Sequence, residues 1–294
     1  MNMGYPEQWF QSQRRRWFGL AYRVLGSVQD AEDVVQEAWL RWQRAEAVTN
    51  PDAWVRQTVV NLALDQLRRR RREAGRYVGP WLPEPEPERP DELTPEPDDF
   101  AEQQQSLSLG FLHMLERLTP VERAVFVLRE AFDTGFEEMA LLLGKSAVNC
   151  RQLYSRAKRK VAEAPARHEA PGDTHARLLG TFLLACQQGD VGLMEQALSR
   201  EAILYTDTNG KVKGALRPIY GPAKIIRLML ALNRKQPPGL AMSRATVNGR
   251  LAVVMREQDQ VRYVVSACVS AQGIVELYFQ QNPDKLAGWC QAVG

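Results

Sequence analysis

The chain opens with helical periodicity. Phe18, Tyr22 and Leu25 stand at i, i+4 and i+7, and Ala31, Val34, Val35, Ala38 and Trp42 continue the same spacing. Val55, Val59 and Leu62 form a third stripe, begun by Asn50-Pro51, where proline fits a first helical turn that needs no N–H. These stripes predict a bundle of about three helices whose aromatic side chains supply much of the core. A second helical segment carries Phe111, Leu112, Leu115 and Leu118, then Thr119 as an N-cap, Pro120, and the stripe Val121, Val125 and Leu128. A short helix over 136–143 stops at Gly144, Ser146 caps the next, and a long basic helix follows over 148–161. Two helices joined by a glycine turn, with Val148 and Leu153 assigned to the interior, predict a helix-turn-helix.

The pattern then changes. After a helix over 174–188, β-branched and aromatic runs occupy 251–255, 261–269 and 274–280. Asn209-Gly210, Asn248-Gly249 and Gln272-Gly273 are hairpin signals, and an amphipathic helix covers 222–233. This last segment reads as an α+β domain with a curved antiparallel sheet.

Seven prolines between Pro80 and Pro97 alternate with Glu84, Glu86, Glu88, Asp91, Glu92, Glu96, Asp98 and Asp99. Such a stretch reads as an extended linker. A shorter break covers 164–173. The expected division is 1–78, a linker over 79–105, then 106–164 and 174–294.

The 294 residues are 45% hydrophobic and 25% charged, which excludes a collagenous or wholly disordered chain. The apolar stretch at 178–186 is far short of the roughly 18 residues a membrane span requires. No membrane partner is expected, and the start of the chain has no apolar signal core. Cys150, Cys186, Cys268 and Cys290 are widely spaced with no CxxC pair, so zinc and disulfides are not expected and a cytoplasmic location is. No Walker A, Rossmann or HExxH pattern occurs, and no cofactor is expected.

The net charge of +3 hides segregation. Basic clusters lie at 14–16, at 68–72, and at Arg151, Arg156, Lys158, Arg159 and Lys160. Local contact with a polyanion follows. Asn61, Asp65, Arg68, Arg69 and Arg72 share one helix face, where arginines attract phosphate while Asn and Asp can read base edges. In the helix-turn-helix, Asn149, Arg151, Gln152 and Arg156 are the polar side chains available to a major groove. Asp30, Glu32, Asp33, Gln36 and Glu37 form an acidic face that would repel DNA and so suits a protein partner. Asp30 is also placed to favour a helix start.

The stretches 21–42, 50–73 and 118–161 resemble regions 2.1–2.2, 2.3–2.4 and 4 of extracytoplasmic-function sigma factors of bacterial RNA polymerase. Trp81-Leu82-Pro83-Glu84-Pro85 and Asn282-Pro283-Asp284-Lys285-Leu286 recur in sigma factors with a C-terminal SnoaL-like domain, a cone-shaped α+β fold related to nuclear transport factor. The Asp-Gly-Gly-Gly-Lys loop common in that group is only partly matched by Asp207-Thr208-Asn209-Gly210-Lys211.

The resemblance implies promoter recognition at the −10 and −35 elements and strand opening. It implies docking on core RNA polymerase, at the β′ clamp coiled coil through the acidic face and at the β flap. The C-terminal domain is then expected to regulate the sigma regions in cis, with 282–286 as a contact. The alternatives are a polymerase-independent DNA-binding regulator, or a C-terminal domain that binds a small ligand or has cyclase-like activity. For the latter, Asp207, Glu257, Asp259 and Glu276 are the available acids, the first three explained equally well by exposed turns. His113, His168 and His175 all fall outside the predicted sheet.

Overall fold

The computed structural model describes residues 7–45, 48–87, 108–163, 170–235, 239–258 and 260–289. Most of the predicted linker (88–105) and most of the second break (164–169) lie outside the described residues, as do His168, Asp259 and Cys290. The chain forms two compact units, Met1–Gly75 with Leu115–Glu163, and Arg76–Met114 with Ala164–Gly294.

The first unit begins with helices α1 (Glu7–Leu25), α2 (Val28–Arg44) and α3 (Pro51–Glu73). Ser27 caps α2 by accepting from Asp30 N at 3.2 Å, and Asn50 caps α3 by accepting from Ala53 N at 3.1 Å. Trp17, Leu20, Tyr22, Val35, Ala38, Val55, Val59 and Val60 fill the centre. On α1 the buried stripe is centred on Trp17, so Phe18 is only half-buried.

The bundle does not stand alone. Helices α5 (Pro120–Phe132), α6 (Phe136–Leu143) and α7 (Ala147–Ala162) belong to the same unit, and α5 packs on both α1 and α3. The sequence boundaries separate 1–78 from 106–164; burial and charge pairing gather 1–75 with 115–163, while 76–78 and the start of the second segment belong to the other unit. Arg123 is 2% exposed, donates from Nε to Arg23 O at 3.1 Å, and pairs with Glu116. Arg70 donates to Glu116 at 3.1 Å and to Leu25 O at 2.7 Å. Arg56 reaches Glu138 at 2.5 Å.

The second unit is built on one six-stranded sheet in the order β2-β1-β6-β5-β4-β3. The strands are β1 (Leu198–Asp207), β2 (Ile219–Tyr220), β3 (Leu240–Val247), β4 (Arg250–Glu257), β5 (Gln260–Ser270) and β6 (Gly273–Gln280). The sheet is mixed, not purely antiparallel: β1 and β6 pair in parallel, with Tyr205 opposite Tyr278 and Asp207 opposite Gln280. A long crossover through β2–β5 joins them, as parallel pairing requires. Asn248 and Gly249 adopt φ of 53° and 70° and close the β3–β4 hairpin as predicted. Asn209-Gly210 instead opens an irregular segment before β2, so it is not a tight hairpin.

Helices α8 (Gly172–Gln188), α9 (Val191–Ala197) and α10 (Pro222–Arg234) cover one sheet face around Phe182, Met194, Leu204, Ile225, Val265, Leu277 and Phe279. Alternation along the strands sends Tyr205, Asp207, Ser266, Glu276, Tyr278 and Gln280 to the other face. That face is buried too, because residues 77–87 and helix α4 (Leu109–Leu115) lie against it. The helical segments with a C-terminal α+β domain match the expected fold class.

Candidate nucleic-acid interface and regulatory site

On α3, Asn61, Asp65, Arg68, Arg69 and Arg72 are all exposed and follow one face, opposite Val55, Val59 and Val60. Arg68 pairs with Asp65 at 2.9 Å and Arg69 with Glu73 at 3.4 Å, exposed pairs that hold little energy against a competing phosphate. The arginine run therefore divides. Arg68, Arg69 and Arg72 point outward, while half-buried Arg70 and exposed Arg71 are bonded within the unit, to Glu116 and to Leu118 O. Sequence spacing alone separates these faces but does not show what holds Arg70 and Arg71.

On α2, Asp33 and Gln36 are exposed. Glu37 is bound by Arg41 at 2.7 Å, and Glu32 by Arg14. Asp30 sits in the first turn of α2, but Ser27 is the cap; the Asp30 carboxylate accepts from Gln66 Nε2 at 3.0 Å.

In the helix-turn-helix, Gly144 ends α6 at φ 60° and Ser146 caps α7 by accepting from Asn149 N at 3.2 Å. Asn149, Arg151, Gln152 and Arg156 are exposed. Arg151 is held by Glu137 at 2.7 Å and lies over the Phe136 ring. The expected interior position of Val148 is corrected: Val148 is 59% exposed, and Cys150, Ala157 and Val161 fill the inner stripe. Leu153 is half-buried.

The second unit brings three sequence motifs together. Asp207, at the end of β1, is completely buried, so it does not lie in an exposed turn. Its carboxylate accepts from Tyr77 Oη at 2.6 Å, Leu82 N at 2.9 Å and Lys285 Nζ at 2.7 Å. Lys285 begins near Asn282, whose side chain caps the short helix α11 (Pro283–Leu286) at Asp284 N. The turn was expected to present both Asp284 and Lys285. Pro283 and Asp284 are exposed, but Lys285 and Leu286 are buried. The Lys285 ammonium also donates to Leu82 O at 2.5 Å and lies 3.9 Å from the Trp81 ring centre. A second pair crosses beside it, Lys211 with Asp284 at 2.5 Å.

Residues 77–87 are thus a strap fastened to the sheet rather than free linker. Prolines lack an N–H, so the strap's polar backbone is mainly carbonyls, and the sheet side provides donors. Trp289 Nε1 donates to Pro85 O at 3.0 Å and Gln280 Nε2 to Pro83 O at 3.5 Å. Of the strap's own donors, Val78 N finds Asn209 Oδ1 at 3.3 Å, Leu82 N finds Asp207, and Glu86 N finds Asn248 Oδ1 at 3.1 Å. Burial, and then the Asp207 carboxylate, push the Tyr77 phenol far above its usual range, so it stays a donor. Buried Glu276 accepts from Tyr278 Oη, and half-buried Glu257 is tied to Arg262 at 2.9 Å.

Among the described residues, no helix is long and apolar enough to cross a membrane, and no cluster of three or more His, Cys, Asp or Glu is placed to hold a metal.

Residues 9–73 match Sigma-70 region 2 and residues 108–161 match Sigma-70, region 4. These are the two helical regions of a sigma-70-type factor. The ECF RNA polymerase sigma factor SigJ of Mycobacterium tuberculosis is 34% identical over 290 residues, covering 95% of this chain and 92% of that protein. The ECF RNA polymerase sigma factor SigG of the same species is 28% identical over 294 residues, covering 86% of this chain and 78% of that protein. The crystal structure of Mycobacterium tuberculosis SigJ superposes with a TM-score of 0.78 at 32% identity, covering 96% of this chain and 99% of that one. The chain belongs to the extracytoplasmic-function sigma factors of RNA polymerase.

Proposed function

We infer that this sigma factor directs core RNA polymerase to promoters in a form whose opening is restrained by its own C-terminal domain. The observation that carries this reading is the Asp207–Lys285 grip on Leu82, because residues 77–87 belong to the chain that joins region 2 to region 4.

In this reading, Asn61 and Asp65 contact bases of the opened non-template strand near the −10 element, and Arg68, Arg69 and Arg72 hold its phosphates. Helix α7 enters the major groove of the −35 element. The acidic face of α2, with Asp30, Glu32, Asp33, Gln36 and Glu37, docks on the β′ clamp coiled coil, and region 4 meets the β flap. Glu32 and Glu37 already bind arginines within the chain, which supports a surface that accepts cationic partners.

The spacing of the two elements supports a rearrangement. The two promoter elements are centred about 25 base pairs apart, or roughly 85 Å of duplex. A compact unit of about 120 residues has a radius of gyration near 14 Å and is roughly 35 Å across. Regions 2 and 4 packed in one unit cannot reach both elements, so they separate on the polymerase. Separation draws on the chain between them, and the strap withholds residues 77–87 from that reach. Asn282, Pro283, Asp284, Lys285 and Leu286 form the clasp: Asn282, Lys285 and Leu286 are buried, and Asp284 binds Lys211. The domain is assigned regulation rather than catalysis because the Asp207 carboxylate is fully engaged by Tyr77, Leu82 and Lys285.

Dyes attached at exposed Gln11 and Glu163 test the opening. Energy transfer should be high in the free protein and fall when core polymerase and promoter are added. Unchanged transfer in the transcribing complex would refute it.

A further inference from the structure

Helix α7 carries an apolar side chain where the fold has no use for one. Its inner stripe is Cys150, Ala157 and Val161, all buried. The stripe directly opposite runs Val148, Gln152, Ser155 and Arg159, at i, i+4, i+7 and i+11, and every member is exposed. Val148 is 59% exposed in the first turn of the helix. Arg151 is fixed to one side of this stripe by Glu137, and Asn149 and Arg156 lie on its other shoulder. The outermost position of a basic helix is therefore a branched hydrocarbon flanked by polar and cationic groups.

We propose that Val148 reads a thymine in the −35 element by packing its methyl groups against the C5-methyl of that base. The major groove offers one apolar feature, the thymine methyl, and small apolar side chains pair with it. Lys158, Arg159 and Arg156 supply phosphate attraction along the same helix, so the side chain that meets the groove floor need not be charged. Gln152, one turn on, reads the neighbouring base by hydrogen bonds, and Arg159 and Ser155 lie further from the entering end. This inference rests on the assignment of α7 to the −35 element and adds the chemistry of one position.

The test uses holoenzyme assembled from core polymerase and the full chain. Duplexes are selected from a pool randomised through the −35 window. Each thymine of the selected window is then replaced singly by deoxyuridine, which removes only the methyl. The wild-type should lose about fourfold in affinity at one thymine, the factor expected for one buried methyl-sized group. Val148→Ser, which puts a hydroxyl in place of the methyl groups, should bind the thymine duplex about fourfold more weakly and ignore the deoxyuridine at that position. A wild-type indifferent to every deoxyuridine, or a Val148→Ser variant that keeps the same sensitivity, overturns the proposal. Arg151→Ala and Gln152→Ala, scored on base-pair substitutions, separate the two levels. If they shift base preference while the deoxyuridine scan is flat, only the thymine assignment falls. If they leave preference unchanged, α7 is not the reader, and the assignment beneath the proposal falls with it.

Discussion

Lys285 places its ammonium 2.7 Å from the carboxylate of Asp207, a residue with no solvent exposure. Both ends of this pair bind the same strap residue, since Leu82 gives its N–H to Asp207 and its carbonyl to Lys285. Removing one partner strands a buried charge, which costs about 3 kcal/mol or more. Lys285→Met should lower the stability of the C-terminal unit by that amount. Hydrogen exchange should show the amides of Leu82 and Glu86 losing protection before the central strands do. Unchanged exchange at Leu82 would mean the pair does not hold the strap.

The arginine run should behave as two groups. Replacing Arg68, Arg69 and Arg72 with Ala should weaken promoter-complex formation across sequences. Each lost phosphate contact to a single strand should reduce the salt slope by about 0.7. Replacing Arg70 and Arg71 should instead destabilise the free protein, because those side chains bind Glu116, Leu25 O and Leu118 O. Promoter titrations against salt, set beside denaturant unfolding of the free protein, distinguish the two effects.

Arg123 joins the two sigma regions from a position 2% exposed. Arg123→Met keeps much of its volume but removes the bonds to Arg23 O and Glu116. Loss of a charged hydrogen-bonding group there should cost about 2 kcal/mol. Energy transfer between dyes at Gln11 and Glu163 in the free protein should fall with it. A fully folded variant with unchanged transfer would show that Arg123 does not hold the regions together.

His175 sets a pH dependence. It is 2% exposed, its Nε2 lies 3.0 Å from Ala267 O, and its Nδ1 is buried without a hydrogen-bond partner. Burial pulls its pKa below the ordinary 6.5, against the opposing bond to Ala267. The neutral ring is therefore favoured by folding, and the unfolded chain takes up the proton first as pH falls. Its stabilisation is complete above pH 6.5 and drains away as pH drops through the folded-state value. Urea midpoints of the C-terminal unit should decline from about pH 7 to about pH 5, and His175→Gln should flatten that decline. A variant with the same decline as the wild-type would assign it to other groups.

Much of this was legible in the residues. The helices of both sigma regions announce themselves by their stripes and caps: Thr119 and Ser146 cap as read, and Asn50, read only as part of a helix start, proves to be a cap as well. Strands β1 and β3 were less visible, because Leu198–Asp207 and Leu240–Val247 mix polar residues into both faces. Asp207 was hidden by its neighbours. Asp-Thr-Asn-Gly reads as a turn, and only the pairing of β1 with β6 shows that the aspartate lies on the strand before it. The strap was hidden by composition. Proline-rich sequence has no stripe to reveal burial, yet Leu82 is 1% exposed, because Lys285 and Trp289, beyond β6, supply donors that the strap's carbonyls need. An apolar residue near a helix start reads as core, which hides the exposure of Val148. The signal that locates it correctly is its position opposite Cys150 and Ala157.

Run-off transcription with core polymerase tests the restraint most directly. The full chain is compared with Lys285→Met and with Arg262→Ala, at equal concentrations of folded protein on one promoter. Releasing residues 77–87 frees chain for regions 2 and 4 to spread, so Lys285→Met should raise transcript yield several-fold. Arg262→Ala breaks only a surface pair with Glu257 outside the clasp and should change yield little. Equal yields from the wild-type and Lys285→Met, with the loss of Leu82 protection confirmed by exchange, would contradict the account.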